Sequence, residues 1–215
     1  MALDELIEIA SESISSEPPD LTWAFERGVS RALLAELSSL LERKNGFFAF
    51  ESSLLVLPAS SHGGVAGLGQ WNDSSGWVGL YDRIGRPALF FAQDAFAGQF
   101  GITDIGVISL NPETGETTLY GVSLEDWAQA VLEHYDYEVG WSAARDWQLE
   151  HGLLRPGHRL LPKVPFVLGG GYEAENLVAV ESFEAMRRLG SLYHQIRDVS
   201  DGKIVTVKGW SDLSH

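Results

Sequence analysis

Asp94 stands in the run Phe90-Phe91-Ala92-Gln93-Asp94-Ala95-Phe96. A carboxyl group among aromatic rings is a setting in which burial lifts its pKa toward that of a general acid. The plainer reading, an Asp that accepts from backbone N–H groups at a strand end or turn, carries more weight. Glu173 and Glu175 follow Gly169-Gly170-Gly171, where they can meet a cation or simply face water. A carboxylate enzyme requires Asp94 to share one pocket with Glu173 or Glu175. Other chemistry is poorly supplied. The stretch from His62 to Gly69 holds four glycines but fits neither G-x-G-x-x-G nor the P-loop, so it reads as a mobile surface loop. The six histidines show no H-E-x-x-H or H-x-H spacing, and there is no cysteine. Gly121-Val122-Ser123 has only the first glycine of a nucleophile elbow, and Ser123 is better used as a helix cap. No catalytic residue, cofactor or metal site is expected.

These residues need a scaffold. Leu33, Leu34, Leu37, Leu40 and Leu41 recur at helical spacing, so a helix runs from about 30 to 44, capped by Ser30 and stopped at Asn45-Gly46. Short buried strands or core-filling turns are expected at 47–50 and 53–57, and strands at 88–92, 99–102 and 105–110. A hairpin through Asn111, Pro112 and Gly115 leads to another strand at 117–120. Ser123 opens a helix with Asp126 as the acid of a capping box; a second helix covers 142–151 and a third, capped by Ser182, covers 182–194. Residues 177–180 read as a strand. A terminal hairpin is expected at 195–207 around Asp201-Gly202. Pro18 and Pro19 mark residues 1–20 as an N-terminal arm ahead of a single domain, 21–215. Strands joined by hairpins and interspersed with helices predict an α+β fold with a central mixed or antiparallel sheet flanked by helices.

The 215 residues carry 15 Lys+Arg against 30 Asp+Glu, a net charge of −15. That argues against nucleic acid and anionic membrane as partners, since both are bound by clustered basic residues. It favours a basic partner. The N-terminus has acids where a signal peptide carries Lys or Arg, and no apolar run approaches the roughly 20 residues of a membrane helix. A cytoplasmic protein is expected. Among the seven tryptophans, Trp127 and Trp147 fall in helical patterns and read as core. Trp71 and Trp77 fall in a loop and are candidate partner anchors. Glu113, Glu116, Glu125, Asp126, Glu173 and Glu175, in turns and helix starts, are the candidate acidic contacts, with Asp94 beside them.

Five segments together resemble bacterial members of the SUKH superfamily, the Smi/Knr-type proteins. They are Asn45–Glu51, Phe90–Phe96 with Gln99-Phe100, Asn111–Glu116, Leu124–Trp127 and Leu160–Gly170. The resemblance spans roughly residues 40 to 208 in consistent order. It implies an α+β fold and, for bacterial members, immunity proteins that bind and neutralise toxins, many of them nucleases or other enzymes. It carries no catalytic residue to this chain. The leading expectation is thus a non-catalytic protein that blocks a cognate, basic toxin encoded nearby. A regulatory or scaffold module without a toxin target is the alternative, and a carboxylate enzyme the third.

Overall fold

The computed structural model describes residues 1–82, 84–200, 202–203 and 206–210. Helix α1 (Ala2–Ile9) buries Ala2 and Leu6. Beyond it, the N–H groups of Ser11, Ile14 and Ser15 donate to the carbonyls of Phe48, Gly46 and Asn45. Residues 1–20 are therefore docked on the domain and not a loose arm. Leu3, Leu6 and Ile7 place apolar surface against the core, and burying it offsets the entropy of ordering a short helix. Helix α2 (Arg31–Arg43) forms where the leucine spacing predicts it. All five leucines are buried, and Ser30 Oγ accepts from Leu33 N.

Six short strands follow: β1 (Phe47–Ala49), β2 (Leu54–Val56), β3 (Leu89–Gln93), β4 (Gln99–Ile102), β5 (Val107–Leu110) and β6 (Thr117–Gly121). They pair in chain order as one antiparallel sheet, which fixes the expected α+β class. All five residues of β3 are buried, the pattern of a strand covered on both faces. Phe91 meets Trp127 edge-on, while its neighbour Phe90 meets Trp77 at 5.1 Å. Between β2 and β3 lie the short helix α3 (Leu68–Trp71) and a 3-10 turn at Trp77–Leu80. Both elements insert a tryptophan into the core.

Helix α4 (Leu124–Glu133) carries both halves of the capping box expected at Ser123 and Asp126. It packs against α1 and β6. Helices α5 (Tyr135–Val139) and α6 (Trp141–His151) follow, divided by Gly140 in the left-handed conformation. Strand β7 (His158–Pro162) lies in a stretch punctuated by Pro and Gly and, among the described residues, pairs only with β8 (Leu177–Glu181). Helix α7 (Ser182–Ile196) closes the fold against β7, β8 and the Trp77 turn.

Two expectations change here. The cap of α7 is Glu181, whose carboxylate accepts from Glu184 N, while Ser182 Oγ donates to the Gly157 carbonyl. The terminal hairpin does not form at its first strand. Gln195 and Ile196 continue α7 because Leu189, Leu192, Tyr193 and Ile196 extend its apolar face, and the expected turn at Asp201 and part of the second strand lie outside the described residues.

Candidate functional site

The β3–β4 turn is built around Asp94. Its Oδ1 accepts from Phe96 N and Gly98 N, both at 2.7 Å, so the turn-capping reading holds. A Cβ on residue 98 would stand 2.2 Å from Asp94 Oδ2, so the side chain folds this tightly only over a glycine. The turn is fixed from outside as well. Ala95 N donates to the Val139 carbonyl, and Leu160 N to that of Ala95. The other expectation for Asp94 holds too. The residue is half-buried, and desolvation raises its pKa to about 6. The two backbone N–H bonds and the nearby Arg159 charge pull the other way without prevailing.

Asp94 lines a cleft of about 750 Å3 between the β4–β6 face, helix α5, the start of α6 and the loop after β7. Five carboxylates line it: Asp94, Glu113, Glu116, Asp136 and Glu138. Among the described residues, no lysine, arginine or histidine does. Glu116 is exposed, Asp136 accepts from Ser142 N, and the Tyr120 hydroxyl donates to Glu138. The Ser142 bonds hold the Asp136 carboxyl below the usual carboxylate range. Burial pushes the Tyr120 phenol up, and its bond to Glu138 pushes it further. The apolar side of the cleft is aromatic. Phe166 stacks on Tyr172 at 4.2 Å, and Phe96 meets both rings at 5.2 and 5.4 Å. Tyr172 is 57% and Tyr137 89% exposed, so two rings stand open at the rim.

The anticipated contact residues divide sharply. Asp94, Glu113 and Glu116 are brought together in this cleft. Glu113 nevertheless also serves the fold. Its carboxylate, buried at 4% exposure, accepts from Phe166 N and Val167 N and ties the β5–β6 turn to the loop bearing Phe166. Burial raises its pKa against the pull of those two N–H groups. Glu125 is half-buried and receives the N–H groups of Ala2 and Leu3 at the start of α1. Asp126 accepts from Val122 N and Ser123 N, and its bond to Ser123 lowers its pKa. Glu173 and Glu175 are exposed and do not line the cleft with Asp94, so the carboxylate pairing required of an enzyme at those positions is not assembled.

Trp71 and Trp77 are not surface anchors. They are fully buried, 5.3 Å apart, and Trp71 Nε1 donates to Gln99 Oε1 in the core. Their segment reads as loop because four-residue helical turns are too short to show periodicity. The cleft residues that escape notice in the sequence are Tyr120, Asp136, Tyr137, Glu138, Phe166 and Tyr172. The available signal was the Tyr-Asp-Tyr-Glu run at 135–138, where two acids alternate with two aromatics. Among the described residues, no group of three or more His, Asp or Glu is arranged to hold a metal ion, and no helix is long and apolar enough to cross a membrane.

No protein-family model matches the chain, and no curated protein matches it in sequence. Among solved structures it is similar to the crystal structure of Atu4351 from Agrobacterium tumefaciens, with a TM-score of 0.61 and 14% identity over 88% of each chain. At that identity the likeness establishes a shared fold alone: an α+β domain whose antiparallel sheet is flanked by helices.

Proposed function

We propose that this chain is a non-catalytic binding protein whose acidic cleft takes a basic segment of a partner protein, in the manner of a SUKH-type immunity protein occluding a toxin. One observation carries the reading: five carboxylates and a three-ring aromatic cluster face one cleft that, among the described residues, no basic side chain lines. Arginine and lysine side chains are what such a surface receives, by ion pairing and by cation–π contact with the open rings of Tyr137 and Tyr172. The net charge of −15 accelerates encounter with a cationic partner before any contact forms. Several of the acids are already anchored by backbone or tyrosine donors, so the cleft presents its charge without first ordering long side chains.

The test is growth rescue. Products of genes adjacent to this one are expressed with and without the chain, and then with a Glu116→Lys, Thr118→Lys double variant. Both positions are exposed, so the variant keeps the fold. Rescue by the native chain and its loss with the variant are expected. Rescue untouched by the double variant, or no toxicity relieved by the native chain, contradicts the proposal.

A second reading has its own observation. A cleft Asp whose pKa is raised to about 6 by burial, with the Glu138 charge adding to it, has the properties of a general acid. A pH-dependent turnover abolished by Asp94→Asn would favour it.

A further inference from the structure

The two edges of the six-stranded sheet differ. At β1 the outer edge is covered, since Ser11 N donates to the Phe48 carbonyl and Phe48 N donates to Ser11 Oγ. At β6 no such cover exists among the described residues. Asn111 N donates to the Glu116 carbonyl, and the pairs Leu110–Thr117, Ser109–Thr118 and Ile108–Leu119 follow in register. Hydrogen-bonded and non-bonded pairs alternate along an antiparallel ladder. Ser109–Thr118 is therefore a bonded pair, and Thr117 and Leu119 turn their N–H and C=O groups outward. Among the described residues, no backbone or side-chain group from outside the sheet bonds to either of them.

An open edge is normally blunted by lysine, proline, an inward charge or a bulge. Strand β6 contains no charged residue and no proline. Its register shifts opposite Val107 and Ile108, which leaves Thr117–Leu119 as the regular open stretch, and all three residues are exposed.

The two sides of β6 present different chemistry. Thr118 and Tyr120 line the acidic cleft together with Glu116, and the Tyr120 hydroxyl donates to Glu138. Leu119 is on the other side, 53% exposed, lying over Gly106, where a Cβ would stand 2.8 Å from its Cδ1. Ile105, next to that glycine, is exposed as well. Side chains of a strand added at this edge alternate in the same way, one set beside the carboxylates and the other beside Leu119.

A second copy of the chain is the poorer occupant, because it brings together two molecules of net charge −15 and two acidic clefts. Resting on the reading of the cleft as the receptor of a basic segment, we propose that this segment docks as an extended strand along the free edge of β6. Its alternate lysine or arginine side chains face the cleft, and its intervening apolar side chains lie beside Leu119.

The experiment titrates three forms of the capped peptide Gly-Lys-Val-Arg-Val-Lys-Gly into the 15N-labelled full chain. One form is unmodified, one is N-methylated at both valines, and one is N-methylated at the arginine and the second lysine. All three carry the same charge. In the proposed register the valine N–H groups meet Thr117 and Leu119, while those of the basic residues point away. The unmodified and the basic-methylated forms are expected to bind alike and to shift the amides of Thr117 and Leu119, with the valine-methylated form about tenfold weaker. Thr117→Pro removes one outward N–H and leaves the net charge and the ladder to β5 intact, so it is expected to fold and to weaken the unmodified peptide about tenfold. Should that variant fail to fold, the three-peptide comparison on the native chain decides. Equal binding of the three forms, no binding of any at millimolar concentration, or a native chain that dimerises through these amides without peptide overturns the inference. The cleft reading is judged separately, by growth rescue with the Glu116→Lys, Thr118→Lys variant, and it survives equal binding of the three forms.

Discussion

Asp94→Asn is the most informative single perturbation of the cleft. Asparagine keeps an oxygen able to accept from Phe96 N and Gly98 N, so the turn persists while the charge is lost. Two effects then compete. Removing the carboxylate relieves a buried charge, but it also takes an opposing charge away from Arg159, which is fully buried with Nε and Nη2 unpartnered. The net direction is set by the Asp94 pKa. It stands at about 6 against an ordinary 3.8, so burial prevails over the attraction of Arg159. At 1.36 kcal/mol per pH unit, ionised Asp94 costs the fold about 3 kcal/mol at neutral pH. The sign follows from linkage. A carboxyl group with a raised folded pKa favours folding fully below its unfolded pKa, and that favourable contribution is lost as pH rises through the folded value. Urea denaturation of both proteins from pH 4 to pH 8 reads the effect. The variant is expected to be more stable at pH 8 by up to about 3 kcal/mol, with the gap closing as pH falls through about 6 toward 3.8. A variant less stable at pH 8, or a gap that does not change with pH, refutes the reasoning and shows that Arg159 holds Asp94 as a true ion pair.

Three further outcomes follow from the packing. Trp77→Ala should cost about 3–5 kcal/mol in chemical denaturation, because a fully buried indole is removed from between Phe90, Trp71 and Tyr81; a loss below about 1 kcal/mol would restore it as a surface residue. Ser123→Ala removes the acceptor for Asp126 N and should lower stability by about 1 kcal/mol, read as a fall in melting temperature without loss of cooperativity. Gly140 has a φ of +70°, and a Cβ there would lie 2.3 Å from the Phe96 ring. Gly140→Ala should therefore displace Phe96 from Phe166 and Tyr172 and weaken partner binding while leaving the cleft charge intact, which the Kd of the variant measures.

The meander of the sheet was legible because each hairpin is local, with Asn111, Pro112 and Gly115 punctuating one of the turns. The capping box at Ser123 was legible for the same reason. Strand β7 was not, since Pro156 and Gly157 precede it, Pro162 ends it, and its partner β8 lies across an intervening loop. Trp71 and Trp77 misled because the physical reason for their burial is the second face of β3, which no local pattern announces. The acidic character of the chain was plain from composition, but its concentration was not. Asp94, Glu116 and Glu138 come from a β3–β4 turn, a β5–β6 turn and helix α5, and only the stacking of those elements makes them neighbours. Meanwhile Glu125 and Asp126 hold the backbone N–H groups at the starts of α1 and α4, so these helix-start acids are occupied by the fold.

The central claim, that the cleft receives a basic segment of a protein partner, is tested most directly by titrating the purified full chain against the adjacent-gene product whose toxicity it relieves. The measurement is Kd for the native chain and for the Glu116→Lys, Thr118→Lys variant, each at low and high salt. The account predicts that the native chain binds tightly, that the variant loses at least about a hundredfold, and that much of the native affinity is screened by salt. Equal affinity for the two proteins, with no dependence on salt, contradicts it.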